Sequence, residues 1–190
     1  DKMQSYWASF DTEFKVLLDG IASDVPLCVA IGGMVAMERN NWGVKLQRMG
    51  RLDDAKAAFN AAKQYSNEIS SADFNLEANE LLSNQQPVVG IIDDQEWNKM
   101  QGKFRSTAQI LKANGEIDVA RFQNEMGIQL FTGGNFRQAA LRFRRGIELD
   151  PSNTDFWLAN SQALLNLGSP VELLETLKKL EQSGNDLDDS

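Results

Sequence analysis

The stretch GIQLFTGGNFRQAALRFRRGIELDP, at residues 127–151, decides the fold of this 190-residue chain. It contains two glycines, an alanine and a phenylalanine at intervals of seven, five and four residues: Gly127, Gly134, Ala139 and Phe143. The stretch GVKLQRMGRLDDAKAAF repeats these residue types at the same intervals 84 residues earlier: Gly43, Gly50, Ala55 and Phe59. A looser third copy begins 34 residues after Gly134: Gly168, Leu173 and Leu177. A period of 34 residues built on small and single large apolar residues indicates helix–turn–helix repeats.

The first glycine of each copy falls inside a predicted helix, where glycine costs about 1 kcal/mol relative to alanine. We therefore expect a partner helix to pack closely against Gly43 and Gly127, with Phe59 and Phe143 at the two crossings. The second glycine of each copy marks the turn between paired helices. Pro151 ends the second helix of its repeat, because the residue before a proline is disfavoured in helical conformation.

These repeats resemble the tetratricopeptide repeat (TPR) family, in which helix pairs stack into a solenoid. Over residues 120–153, six residues fall at the family's signature positions: Gly127, Leu130, Ala139, Phe143, Gly146 and Pro151. The repeat at residues 36–69 matches at six positions but lacks the closing proline: Trp42, Gly43, Leu46, Ala55, Phe59 and Ala62. The repeat at residues 154–183 has Trp157 and Leu164 but departs from the family at Ser161 and Leu173. The resemblance covers about 100 of the 190 residues.

The N-terminal residues are also predicted to be helical. An amphipathic stripe at intervals of three and four residues indicates the first helix: Trp7, Phe10, Phe14, Leu17 and Ile21. A 13-residue apolar run at residues 25–37 then predicts a buried helix that begins at Pro26 and is capped by Asp24. The run is too short to span a bilayer. This helix either continues into the first repeat or breaks at Gly32 and Gly33.

The middle of the chain has 50 residues, 70–119, where one period allows 34. Two apolar patterns predict one helix each: Phe74, Ala78 and Leu81; and Trp97, Met100, Phe104, Ala108 and Leu111. Between them lies an apolar linker at residues 85–95, with the sequence PVVGII at residues 87–92. The linker either folds back over the core or extends to dock on a partner or occupy a groove.

The predicted fold is therefore all-α, a TPR-like solenoid of helical hairpins with a degenerate middle repeat split by the linker. Its predicted parts follow the order of the chain: N-terminal helices packing on the solenoid at 1–35, repeats at 36–69, 70–119, 120–153 and 154–183, and an acidic, disordered tail at 184–190.

Composition excludes several functional classes. The net charge of -8 argues against general binding to nucleic acid or anionic membrane. One cysteine, Cys28, allows no internal disulfide and favours a reducing, intracellular compartment. This would be the cytoplasm, or an organelle interior if a targeting segment was removed before Asp1. The chain is expected to be soluble.

Catalysis has little support in the sequence. The chain has no histidine, so the commonest general base and metal ligand is absent. Zinc spacings, calcium loops, phosphate loops and dinucleotide fingerprints are all missing. We therefore predict a protein that is not an enzyme and uses no cofactor or metal.

Binding to a protein or peptide client is the function that the TPR resemblance implies. In that family the first helix of each pair lines a concave groove. The corresponding positions here are Asn40, Asn41, Val44, Gln47 and Arg48; Arg121, Asn124, Ile128 and Phe131; and Asp155, Leu158, Gln162 and Leu165. Asn and Gln can pair with a peptide backbone, and Arg with a carboxylate. The family's clamp for chaperone carboxylates is not expected, because Val44 and Asp155 occupy two of its positions.

A second candidate surface is the arginine-rich helix of the best repeat, which carries Arg137, Arg142, Arg144 and Arg145. In the family this helix normally faces outward, so the arginines form either a solvated face or a docking strip for an acidic partner. RNA is a poorer choice, because no aromatic residues alternate with the arginines for base stacking.

The sequence thus predicts a non-enzymatic adaptor or assembly factor that holds a client peptide or helix in its groove. Two alternatives are a dedicated chaperone of the small secretion-chaperone kind and a permanently embedded subunit of a larger complex. The identity of the client and the oligomeric state are left open.

Overall fold

The computed structural model describes residues 2–19, 26–66, 70–104 and 106–188. Within these ranges the chain forms ten α-helices and no strand, which confirms the all-α prediction. In chain order the helices are α1 (Lys2–Asp19), α2 (Pro26–Arg48), α3 (Leu52–Tyr65), α4 (Ser71–Ser83), α5 (Asp94–Lys103), α6 (Thr107–Asn114), α7 (Ala120–Thr132), α8 (Phe136–Leu149), α9 (Thr154–Leu167) and α10 (Pro170–Asp188).

Three helical hairpins organise the molecule: α2 with α3, α7 with α8, and α9 with α10. A turn of two or three residues joins each pair, and each turn contains a glycine with positive φ: Gly50 at 73°, Gly134 at 76° and Gly168 at 71°. Side chains other than glycine rarely adopt this backbone conformation. The second glycine of each sequence repeat therefore makes the turn, as predicted.

The first glycine of each repeat marks a close approach between paired helices. A Cβ atom on Gly43 would lie 2.6 Å from Cδ1 of Phe59, and one on Gly127 would lie 2.7 Å from Cδ1 of Phe143. Both phenylalanine rings are buried. The predicted helix crossings are confirmed, because each ring lies where any side chain on the facing glycine would have to fit.

Helix α2 is continuous from Pro26 to Arg48 and does not break at its glycines. A Cβ on Gly32 would lie 2.7 Å from the carbonyl oxygen of Tyr65, the last residue of α3. Residues before Gly32 thus extend beyond the end of α3. The prediction that the apolar run is buried is wrong there: Leu27 is 66% exposed and Val29 is 48% exposed. Asp24, the predicted cap, lies outside the described residues.

The second helix predicted for the middle repeat is two helices, α5 and α6. Phe104 has the extended backbone of a helix end, with φ -127° and ψ 135°. Ser106 then begins a new helix, because its side chain accepts a hydrogen bond from the backbone N–H of Gln109. The apolar pattern spans both helices because both face the same core.

The apolar linker folds back over the core, as one of the two alternatives predicted. Its N–H at Val88 donates to the carbonyl oxygen of Leu149, 2.7 Å away. Val88 and Ile92 are buried in the main hydrophobic cluster, whereas Val89 points outward. Because α5 begins at Asp94, the connection between helices spans residues 84–93.

At the C-terminus, α10 continues to Asp188, through most of the segment that the sequence predicts to be an acidic, disordered tail. A glycine and several acidic residues lower helix propensity without blocking the backbone hydrogen bonds that extend the helix. Residues 189 and 190 lie outside the described ranges. Within those ranges, no helix combines the length and apolar character that crossing a membrane would require.

Candidate binding surface

Residues 115–119, called the crossing segment below, connect α6 to α7 and lie across α2 and α4. The side-chain amides of Asn40 and Asn75 donate to the carbonyl oxygen of Glu116, at 2.8 and 2.9 Å. The backbone N–H of Glu116 donates to Asn41 Oδ1 at 2.8 Å, and that of Asp118 donates to Asn75 Oδ1 at 2.7 Å. Three asparagines therefore bind the backbone of a non-helical segment of the same chain.

Arginines from two distant helices bind the carboxylates of the crossing segment. Arg145 of α8 donates to both oxygens of Asp118, with Nη2 at 2.6 Å from Oδ2 and Nε at 3.1 Å from Oδ1. Arg48 of α2 donates from Nη2 to Asp118 Oδ1 at 2.8 Å and to Glu116 Oε1 at 2.9 Å. Arg142 of α8 also forms an ion pair with Glu116. The side chain of Asp118 is fully buried at the centre of this ion pair network, whereas Arg48, at its edge, is 37% exposed.

Interactions within this network keep its carboxylate and guanidinium groups charged. Burial alone would raise the pKa of Asp118, but the hydrogen bonds and charges of Arg145 and Arg48 outweigh it and hold that pKa below its ordinary value of 3.8. Burial would lower the pKa of Arg48 and Arg145, but the bonds and charge of Asp118 raise both. All three groups therefore stay ionised at neutral pH.

This arrangement corrects the predicted groove in the first repeat. Asn40, Val44 and Gln47 are buried, so they do not line an open groove. The longer middle repeat places the crossing segment over them, and Gln47 Nε2 donates to Asp118 at 2.9 Å. Asn41 and Arg48 keep partial exposure at the edge of a pocket of about 310 Å³ beside Lys45.

The arginines predicted to form one surface on α8 also have different environments. Arg142 and Arg145 are half-buried and bind acids of their own chain, so neither a solvated face nor a free docking strip describes them. Arg144 is exposed and pairs with Glu172 of α10 at 2.7 Å, which leaves it a surface residue. Arg144 does not contact Asp118 or Glu116 in the network around the crossing segment.

A second pocket, of about 290 Å³, lies between the linker and the first turns of α7 and α9. Arg121 and Asn124 of α7 and Phe156 of α9 line it, facing the linker backbone. Arg121 donates to the carbonyl oxygen of Ile92 at 3.2 Å, forms an ion pair with Asp94 and lies over the ring of Trp97. In the described part of the chain, the Asn124 side chain has no hydrogen-bond partner. The first turns of α7 and α9 therefore both border this pocket.

The other predicted groove residues of α7 and α9 are accessible. Ile128 is 47% exposed, Leu158 is 59% exposed and Leu165 is 69% exposed, and Gln162 is also exposed. Arg121, Asn124 and Ile128 share one face of α7, and Leu158, Gln162 and Leu165 share one face of α9, because residues three or four positions apart align on a helix. Phe131 is half-buried against Phe136, with ring centroids 5.3 Å apart. We call Ile128, Leu158, Gln162 and Leu165 the open face.

The sequence did not predict the roles of Asn75, Glu116 and Asp118. Asn75 lies within an apolar helix pattern, and Asp118 lies between Ile117 and Val119, all of them buried. A polar residue enclosed by apolar neighbours is the one local signal that could have identified them, since buried polar groups need partners. Their partners lie too far away in sequence to be recognised by spacing.

Within the described residues, no group of three or more acidic or cysteine side chains is arranged to hold a metal ion. In comparisons with known proteins, no family model matches this chain, and none of the curated proteins matches it.

The low pKa of Asp118 predicts how stability depends on pH. A carboxylate whose folded pKa is depressed contributes its full stabilisation above the unfolded pKa of about 3.9 and loses it as the pH falls through the folded pKa. We therefore expect the difference in unfolding free energy between wild type and Asp118→Asn to stay level from about pH 7 to pH 5 and to shrink below about pH 4. Urea titrations at these pH values measure it, with exposed Asp53→Asn as the control. A difference that grows towards acid pH would contradict this assignment of charge.

Proposed function

We propose that this protein is a TPR-like solenoid that acts as a non-enzymatic scaffold or assembly factor and binds a client on its open face. The exposure of Ile128, Leu158 and Leu165 carries this proposal. Large apolar side chains that share helix faces and lie beside a polar pocket are typical of a surface that binds another protein. The three glycine-turn hairpins and two glycine–phenylalanine crossings support the TPR-like arrangement.

The chemistry of the open face favours an amphipathic helix or an apolar peptide as the client. Leu158 and Leu165 are separated by two helical turns, a spacing that suits the anchor residues of a docked helix. Gln162 lies between them, and Asn124 and Arg121 lie at the neighbouring pocket, where amide and guanidinium groups can pair with a peptide backbone or carboxylate. The crossing segment is an example within this chain of asparagine and arginine side chains binding backbone and carboxylates in this way.

A permanently embedded subunit is the second candidate, and α10 supports it. Val171, Leu174 and Leu177 are exposed at intervals of three residues along this last helix. Exposed apolar side chains that share one helix face are typical of a surface that another element covers. An apolar outer face on α10 favours a neighbour that covers it in an assembly.

Replacing Leu158 and Leu165 together by glutamate should reduce client capture at least about tenfold, because each buried apolar anchor at an interface contributes on the order of 1–2 kcal/mol. Quantitative mass spectrometry of proteins retained by the tagged full chain in source-cell extract measures this. Leu141→Glu, at an exposed position of α8, is the matched control, and circular dichroism checks that folding is unchanged.

Retention of the same proteins in equal amount by the double variant would remove the open face from consideration. Loss of client with Val171→Glu and Leu174→Glu, and not with the open-face variant, would favour the embedded subunit. Prolonged washing separates the two further, because a transient interface of standard size dissociates faster than a large, permanent one.

A further inference from the structure

Helix α1 contacts the hairpin of α2 and α3 through few side chains. None of its described side chains is buried in the hydrophobic core. Arg39 and Leu46 of α2 and Ala58 of α3 line a pocket of about 160 Å³ beside α1. The pocket is open to solvent, so α1 covers the hairpin only in part. Incomplete packing of this kind weakens the attachment of a helix.

One carboxylate supplies most of the polar contact. Asp11 accepts a hydrogen bond from Tyr65 Oη at 2.7 Å and forms an ion pair with Arg39. Aromatic residues before and after Asp11 on α1 also contact the hairpin. The guanidinium of Arg39 lies 4.6 Å from the ring centroid of Trp7, and the ring centroids of Phe14 and Tyr65 are 5.6 Å apart. Asp11 thus joins α1 to both helices of the hairpin.

Two polar groups at this contact are buried without an acceptor. Trp7 Nε1 and Arg39 Nε have no hydrogen-bond partner among the described residues. Burial lowers the pKa of Arg39, although the charge of Asp11 opposes this. Both N–H groups would bind water if α1 left the surface, and a buried donor without an acceptor is unfavourable. Docking of α1 therefore costs the hydration of Trp7 Nε1 and Arg39 Nε.

We propose that α1 is a releasable cover of a helix-binding face on the α2–α3 hairpin, and that this face accepts an amphipathic helix of a partner protein in its place. The partner helix carries a carboxylate with one large aromatic residue four positions before it and another three positions after it, the pattern of Trp7, Asp11 and Phe14. This face is separate from the open face on α7 and α9, so the two proposed binding sites can be tested independently.

Full-length variants test the release of α1 by amide hydrogen exchange. Asp11→Ala should raise exchange throughout α1 at least about tenfold and leave α7 and α8 unchanged, because it removes a charge-assisted bond and a second hydrogen bond. Tyr65→Phe, which keeps the ring and removes one bond to Asp11, should give a smaller rise. Glu13→Ala is the control, since this exposed acid of α1 accepts a hydrogen bond from Ser9 of the same helix and, within the described residues, forms no hydrogen bond or ion pair with the hairpin.

The partner chemistry is tested with a labelled peptide that has the sequence of residues 2–19. In fluorescence anisotropy, the Asp11→Ala protein should bind this peptide at least about tenfold more tightly than wild type, whose own α1 competes at high effective concentration. The same peptide with Asp11→Ala should bind neither protein. Equal peptide binding by the wild-type and Asp11→Ala proteins would overturn the proposal. So would unchanged exchange of α1 in both Asp11→Ala and Tyr65→Phe, or exchange that rises equally through α2 and α3.

Discussion

Replacing Asp118 by alanine should lower the free energy of unfolding by about 3 kcal/mol, at the lower end of the cost of breaking a buried ion pair, because it removes a fully buried carboxylate that two arginines share. Arg48 and Arg145 lose their shared carboxylate; Arg145 is largely enclosed by protein, whereas Arg48 is 37% exposed. Each keeps one other acidic partner, Glu148 for Arg145 and Glu116 for Arg48. The amide of Gln47 loses its acceptor as well. Removing one member of a buried ion pair costs more than the pair contributes, because the remaining charge cannot regain its hydration.

Urea unfolding at neutral pH, followed by circular dichroism, measures this loss. Arg145→Ala should also be strongly destabilising, and the double variant should lose less than the sum of the two single losses, because both act on one interaction. Arg144→Ala is the control: its ion pair with Glu172 is exposed, so the change should stay within about 0.5 kcal/mol. A loss below about 1 kcal/mol in Asp118→Ala would show that the network is not an important source of stability.

The second large effect is expected at the helix crossing of the best repeat. Gly127→Leu should destabilise the protein by about 3 kcal/mol, at the upper end of the usual range for overpacking. The ring of Phe143 already fills the space where the new side chain must go, since even a Cβ on Gly127 would be 2.7 Å from Cδ1. The ring is buried and cannot move into solvent.

A double variant with a larger residue at 127 and a smaller one at 143 tests whether these two side chains compete for the same space. Phe143→Ala alone should cost about 3–5 kcal/mol through the cavity that it leaves. Combined with Gly127→Leu, it should cost less than the two single changes together, because the leucine then occupies space that the ring has vacated. Gly33→Leu is the control, since a Cβ on this helical glycine meets nothing within 4 Å. Simple additivity of the two losses would mean that Gly127 and Phe143 do not compete for space.

The parts of the fold that could be predicted are those in which local spacing encodes a contact. Gly127 and Phe143 lie in consecutive helices joined by a short turn, so their separation in sequence determines that they meet. The apolar linker could likewise be predicted, because Val88 and Ile92 are too apolar for solvent. The break between α5 and α6 was missed, since an apolar pattern continues across it and only Ser106 signals a new start.

The crossing segment could not be predicted, because its contacts follow no period. Asn75 and Asp118 are joined by a hydrogen bond across 43 residues, and Arg48 and Asp118 across 70. The types of group that these side chains bind are those expected from the sequence: Asn40 and Asn41 bind peptide backbone, and Arg48 binds carboxylates, but within the same chain. The ligand was assigned to another molecule because the one local signal in residues 115–119, Asp118 between Ile117 and Val119, does not identify the partners of that carboxylate.

The carboxylate of Asp118 also affects how the molecule unfolds. In proteins of stacked repeats, each unit contacts only its neighbours, so end units can melt before the middle and the transition broadens. Here one side chain is held at once by the hairpin of α2 and α3, through Arg48, and by the hairpin of α7 and α8, through Arg145. If either hairpin separates, it loses its ion pair with this buried carboxylate. Residues from α2 to α8 are therefore expected to exchange their slowest amide hydrogens at a common rate, as one cooperative unit rather than a row of independent ones.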